Sequence, residues 1–169
     1  MNIIKQENRR MLSRVEKVLQ MALLDKHDFQ LNLKPLDIHE IILEAVRNIS
    51  LQVNQKNGQI HEELGATNSI LRADQTHMTN IIYNLLDNAN KYSMESPSIR
   101  IVTENVKKGI QIKVIDTGIG MTKEAQKMIF ENFYRVPTGN LHDVKGFGLG
   151  LSYVKAMVQA HNGTIEVSS

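Results

Sequence analysis

The stretch from Asp74 to Tyr92 demands two environments at once. At about 100° per residue, His77, Asn80, Asn84, Asn88 and Lys91 fall within a sector of about 80°, while Met78, Ile82, Leu85 and Ala89 lie opposite. A helix of this kind buries one face in a core and presents a row of amides to something else. Asparagine is a mediocre helix former because its side chain competes with the backbone for hydrogen bonds, and a merely solvated face would carry Glu, Lys and Arg. The row points to use as a binding surface, with plain solvent exposure as the competing reading. Asp74 supplies the amino-terminal cap, and Pro97 marks the limit beyond the helix end.

Composition confines the fold around this helix to one modest core. The chain has 169 residues, 20 Lys+Arg against 18 Asp+Glu, a formal net charge of +2, 41% hydrophobic residues and no cysteine. Such a length buries roughly 68–70% of the surface of the unfolded chain, enough for one domain and an appendage. The near-neutral balance creates no field for nucleic acid, and zero cysteine removes disulfides and thiolate zinc sites. No apolar run approaches the roughly 18 residues of a membrane helix, and the amino end lacks a signal-peptide pattern. The chain reads as soluble and unexported, with no nucleic acid partner.

Ile4, Met11, Val15, Val18 and Ala22 keep the a/d rhythm of a bundle helix, widened by Leu12, Leu19 and Leu23. Two stripes favour a second copy of the helix as partner over packing on its own domain. Phe29, Leu31 and Leu33 alternate as an edge strand or linker up to Pro35. Asp37 with Glu40 forms a capping-box pattern, opening a helix through Ile38, Ile41, Ile42, Ala45, Ile49 and Val53 that closes at Asn57-Gly58. Residues 59–73 suggest two weak strands around Gly65-Ala66-Thr67-Asn68. Ser98–Glu104 and Ile110–Asp116 alternate across a turn as a hairpin.

Thr122 opens a short helix ending near Phe133, and the polar stretch 137–145 reads as a loop. A last helix runs from Gly150 to Asn162-Gly163, after which Ile165 and Val167 begin a strand. Helices and hairpin do not alternate as βαβ units, so the class is α+β, with helices on one face of a mixed or antiparallel sheet.

Two further features carry chemistry. Ile110, Ile112, Val114 and Asp116 share one parity, so a regular strand turns Asp116 toward the apolar side, where a carboxylate must find donors or border a pocket. The following Thr117-Gly118-Ile119-Gly120 lets a planar ligand approach the backbone, although a simple turn explains it equally well. Gly146-Phe147-Gly148-Leu149-Gly150-Leu151-Ser152 opens a helix whose exposed N–H groups and dipole suit a phosphate. Its spacing matches neither the dinucleotide fingerprint nor the P-loop. Amide row, inward carboxylate and glycine-rich helix start together describe a nucleotide site.

The segments Asn84-Leu-Leu-Asp-Asn88-Ala-Asn-Lys91-Tyr92, Asp116-Thr-Gly118-Ile-Gly120, Phe130-Glu-Asn-Phe133-Tyr134-Arg135 and Gly146-Phe-Gly148-Leu-Gly150-Leu-Ser152 resemble the N, G1, F and G2 boxes of sensor histidine kinases. All four occur in the family's order within residues 29–169. The resemblance implies the Bergerat ATP-binding fold, a two-layer α/β sandwich shared with DNA gyrase, mismatch-repair ATPases and a chaperone family, here behind a long amino-terminal helix. It assigns Asp116 to the adenine amino group, Asn88 with Asn84 to Mg²⁺, Lys91 to phosphate and Tyr92 to the same edge. Arg135 and Lys145 become phosphate candidates beside a lid at residues 136–145, with Phe130 and Phe133 packing the base of the lid. Gly118, Gly120, Gly146, Gly148, Gly150, Leu151 and Ser152 complete the ATP-binding set.

Hydrolysing relatives carry a Glu one turn before the metal Asn; Asn84 stands there, and an amide cannot take a proton from water. The resemblance therefore implies transfer to an external nucleophile, a histidine on a dimerisation domain. None of the 6 histidines has the phosphoacceptor context. The expected layout is the end of a dimerisation helix at residues 1–26 and a catalytic domain at 27–169, truncated before its last strand, from a homodimeric, membrane-anchored parent with this portion cytoplasmic. Its expected partners are the dimerisation domain and a response regulator receiver domain. A nucleotide-binding regulatory module without transferase activity and a gyrase-type ATPase are the alternatives.

Overall fold

In the computed structural model the described residues are 30–93, 95–136 and 148–169. The chain divides into units at residues 1–30 and 31–169, and the architecture is that of the second. The heptad-spaced amino-terminal helix and the loop at 137–145 lie outside the described residues.

The elements follow as β1 (Lys34–Asp37), α1 (Ile38–Gln55), β2 (Gln59–Leu64), β3 (Ile70–Ala73), α2 (Gln75–Tyr92), β4 (Ser98–Val106), β5 (Gly109–Asp116), α3 (Lys123–Met128) and α4 (Gly150–Ala160). The main sheet is mixed, with order β2-β4-β5, β2 parallel to β4 and β4 antiparallel to β5. A separate antiparallel pair joins β1 to β3. Along β4, Ile99, Ile101 and Thr103 are fully buried, while the alternate Arg100 and Glu104 are exposed. One sheet face is therefore the core floor. The other carries Lys113–Glu104 and Arg100–Glu63 ion pairs in water, which contribute little to stability.

The helices cover the floor with the residues their periodicity selects. In α1 the buried set is Ile38, Ile41, Ile42, Ala45, Val46, Ile49 and Val53. Each of these Ile and Val side chains, fully buried, is worth about 1.5–3 kcal/mol of transfer free energy. The Asp37 carboxylate caps the helix by accepting from His39 N at 2.9 Å. At the other end Asn57 turns left-handed, φ 55°, and a Cβ on Gly58 would lie 2.5 Å from the Pro97 carbonyl oxygen. Only glycine passes there, and Gln59 N then bonds the same oxygen at 2.7 Å to start β2.

Three sequence expectations shift. The first strand is Lys34–Asp37 and includes Pro35, where the alternation had been expected to end. Proline is tolerated because β1 pairs on one side only. The two strands predicted within 59–73 form as expected, β2 in the main sheet and β3 beside β1. The helix opened by Thr122 stops at Met128, since the chain then turns tightly, with Glu131 N bonding Met128 O at 2.8 Å and Phe133 at φ 65°. Ile165 and Val167 keep their inward alternation but form no strand ladder. Alternation reports which way side chains face and does not require a hydrogen-bonded neighbour.

Asp74 is the joint between α2 and the rest. Burial opposes its charge, yet hydrogen bonds from His77 N at 3.1 Å and Asn32 N at 3.0 Å outweigh that opposition and lower its pKa below the usual 3.8. A carboxyl with a depressed folded pKa stabilises the protein above its unfolded pKa, and the contribution is lost as pH falls through the folded value. Asp74→Ala is expected to cost about 1–2 kcal/mol at pH 7. In urea titrations the gap to the parent chain should narrow as pH drops below the ordinary carboxyl range; a gap independent of pH contradicts the assignment.

Candidate functional site

A cavity of about 490 Å³ opens between the carboxyl-terminal half of α2, the end of β5 and the loop that follows it. Leu85, Ala89, Val114 and Ile129 supply an apolar floor. Asn88, Tyr92, Asp116 and Arg135 bring polar groups to its wall.

Asp116 reaches the cavity because of strand register. It pairs with Ile99, and Val114 pairs with Ile101, so the carboxylate shares a sheet face with two fully buried isoleucines. The parity read from sequence holds, and Asp116 is exposed because its row ends at the cavity. Its Oδ1 accepts from Gly118 N at 2.8 Å. A Cβ on Gly118 would stand 2.6 Å from that oxygen and 2.9 Å from the Tyr92 carbonyl. Ile119 N bonds the same Tyr92 carbonyl at 3.1 Å, which ties the loop to the end of α2. The carboxylate is thereby held in place with accepting capacity left for a ligand donor. Gly120, φ 69°, continues the loop along the cavity.

The amide row meets the first turn of α4. Asn84 Nδ2 donates to Asn80 O at 2.7 Å, directing Oδ1 to the position a Gly150 Cβ would fill, 2.9 Å away. Asn88 Nδ2 is 3.9 Å from that same position. No side chain caps α4, whose amino-terminal N–H groups thus stand beside the two amides, at the end of the helix where the dipole favours an anion. Among the described residues no three His, Cys, Asp or Glu gather as a metal cluster. A divalent ion at the amides would take most of its ligands from water and phosphate, as Mg²⁺ prefers. Carboxylate, apolar floor, amide pair and helix start fit a metal-chelated nucleotide.

Several site residues stand elsewhere. Lys91 does not line the cavity, because its ammonium pairs with Asp87 one turn earlier on α2. Gly148, φ 72°, is required by backbone: a Cβ would lie 2.6 Å from Tyr134 O, and its own carbonyl accepts from Phe133 N at 3.0 Å. Ser152 is buried and donates to Leu149 O at 3.0 Å, within its helix. Leu151 lines the cavity, whereas Lys145 and Gly146 lie outside the described residues. Phe130, expected at the base of a lid, also lines the cavity, and Phe133 is 66% exposed. Sequence reasoning missed the wall formed by residues 165–169, although the alternation of Ile165 and Val167 already turned them inward.

Residues 73–169 match the family described as histidine kinase-, DNA gyrase B-, and HSP90-like ATPase, more than half of the chain. Sensor protein RprX of Bacteroides fragilis is 46% identical over 169 residues, covering 99% of this chain and 33% of its own. Sensor histidine kinase WalK of Bacillus subtilis is 29% identical over 169 residues, covering 99% of this chain and 28% of its own. The crystal structure of full-length ShkA in complex with AMPPNP matches with a TM-score of 0.87 at 26% identity, over 99% of this chain and 34% of that one. The chain thus spans about a third of the length of these relatives. No helix among the described residues is long and apolar enough to cross a membrane. The chain belongs to the histidine kinase-, DNA gyrase B- and HSP90-like ATPase family, and within it is a catalytic ATPase domain of the sensor histidine kinase type.

Proposed function

We propose that this chain binds Mg-ATP in the cavity and offers the γ-phosphate to a histidine on a dimerisation domain outside the described residues, from which a response regulator receiver domain draws it. The Asp116 carboxylate and the Asn88 amide on one cavity, with Asn84 and the bare backbone of Gly150 packed beside Asn88, carry this reading. Asp116 accepts from the purine amino group while Leu85 and Ala89 cover an aromatic ring face. Asn88, assisted by Asn84, gives an amide oxygen to Mg²⁺, which spreads the phosphate charge. The start of α4 and Arg135 receive phosphate oxygens. On this reading residues 1–26 belong to the dimerisation helix of the parent kinase, and this portion works in the cytoplasm as part of a homodimeric, membrane-anchored protein.

The position one helical turn before Asn88 offers no base for water. Asn84 cannot accept a proton, and Asp87, the neighbouring carboxylate, is engaged by Lys91 away from the cavity. Catalysis therefore rests on positioning and charge stabilisation toward an external nucleophile.

A melt with ligand at 100 times its Kd should gain about 2.7 kcal/mol of stability and show a raised midpoint. Gly118→Ala drives a methyl group into Asp116 and the Tyr92 carbonyl, and is expected to weaken ATP about tenfold or more, roughly 1.4 kcal/mol, with the fold retained. Asp116→Asn, which loses the charged acceptor, should lose affinity to a similar extent, and Asn88→Ala should remove the Mg²⁺ dependence of binding. Normal affinity in all three variants places the ligand elsewhere.

The activity itself is read with labelled ATP and a separately produced dimerisation domain from the parent kinase. The expected result is acid-labile phosphohistidine on the added domain, no label on this chain, and almost no steady phosphate release. Label on neither, with ATP still bound, identifies a regulatory module; rapid phosphate release identifies an ATPase.

A further inference from the structure

The polar row on α2 has more members than a nucleotide occupies. His77 and Asn80 reach Tyr153 on α4 instead of the cavity: His77 Nδ1 is 2.8 Å from Tyr153 Oη, and Asn80 Nδ2 is 3.4 Å from it. Tyr153 is 7% exposed, so its hydroxyl must find partners inside the protein. Asn80 Nδ2 can only donate, so the phenol oxygen accepts from it, and the phenol shares a second hydrogen bond with His77 Nδ1. Burial pushes the Tyr153 pKa up, with the Asn80 hydrogen bond acting the other way, and the group remains a phenol at neutral pH.

These bonds hold α4 at a fixed height along α2. One turn before Tyr153 stands Gly150, against Asn84 and Asn88. At the far end His161 donates from Nδ1 to Met157 O at 2.7 Å and accepts at Nε2 from Asp74 N at 3.0 Å. The two helices are antiparallel and meet at three levels: a close approach at Gly150, beside the cavity, and hydrogen bonds at Tyr153 and at His161. Val154 and Met157, fully buried between these levels, contribute apolar packing that has no directional preference. The register along the axis comes from the hydrogen bonds.

We propose that Tyr153 is a positioning residue for the phosphate and metal end of the nucleotide: its hydroxyl, held by His77 and Asn80, sets the height at which the first turn of α4 meets Asn84 and Asn88. This rests on reading the cavity as a nucleotide site. The purine end is built from Asp116 and Gly118 on the Tyr92 carbonyl and shares no bond with Tyr153. Loss of the hydroxyl therefore acts on one end of the ligand only.

The test compares Mg-ATP and adenosine affinities by calorimetry in the parent chain, in Tyr153→Phe and in His77→Leu, the second variant removing the imidazole partner while keeping the Tyr153 ring. Both variants should bind Mg-ATP about fivefold more weakly, with adenosine affinity unchanged. In the nucleotide-free variants the amides of residues 150–152 should exchange hydrogen faster, while those of α1 keep their protection. Unchanged Mg-ATP affinity, or an equal loss for adenosine, overturns the role of Tyr153 alone. A parent chain that binds neither ligand overturns the nucleotide reading and this inference with it.

Discussion

Everything in this fold depends on α2 being a wall with two wet ends and a dry side. Met78, Ile81, Ile82, Leu86 and Ala89 bury one face, which fixes the helix over the sheet floor of Ile99 and Ile101. The opposite amides are left without an apolar partner, and the molecule answers with α4, a helix whose first residue has no side chain. The near contact of Gly150 with Asn84 follows from that choice. A larger residue at 150 would push α4 away and widen the crevice that the amides border.

The site divides into two ends that are stabilised differently. At the Asp116 end, the carboxylate, Gly118 N and the Tyr92 carbonyl form a closed set of backbone-anchored bonds, and neither glycine nor carboxylate can move without breaking one. At the amide end, contacts run between side chains on α2 and backbone on α4, and their geometry depends on how the two helices are held. Such a division suits the transfer we propose, which needs a firm grip on the purine and a terminal phosphate open to another domain.

Much of this was legible in the residue order because it depends on short-range rules. Asp37, Asp74 and Thr122 act as caps, each accepting from a backbone N–H within three residues. The parity of Asp116 needed only period-two counting and a regular hairpin. What stayed hidden depends on contacts far apart in the chain. The bond from His77 to Tyr153 spans 76 residues, and it converts part of an apparent ligand surface into a helix clamp. The Lys91–Asp87 pair, by contrast, spans only four residues and lies within the motif, where helical spacing already allowed it. Gly148 looked like a phosphate glycine, yet the carbonyl of Tyr134 is what excludes a side chain there.

The most direct test of the account is a crystal structure of the chain grown with a non-hydrolysable ATP analogue and Mn²⁺, whose anomalous signal locates the metal. The account predicts the purine amino group within hydrogen-bond distance of the Asp116 carboxylate and the metal bound by the side-chain oxygen of Asn88, beside the start of α4. A nucleotide seated away from Asp116, or a metal peak remote from the α2 amides, contradicts it.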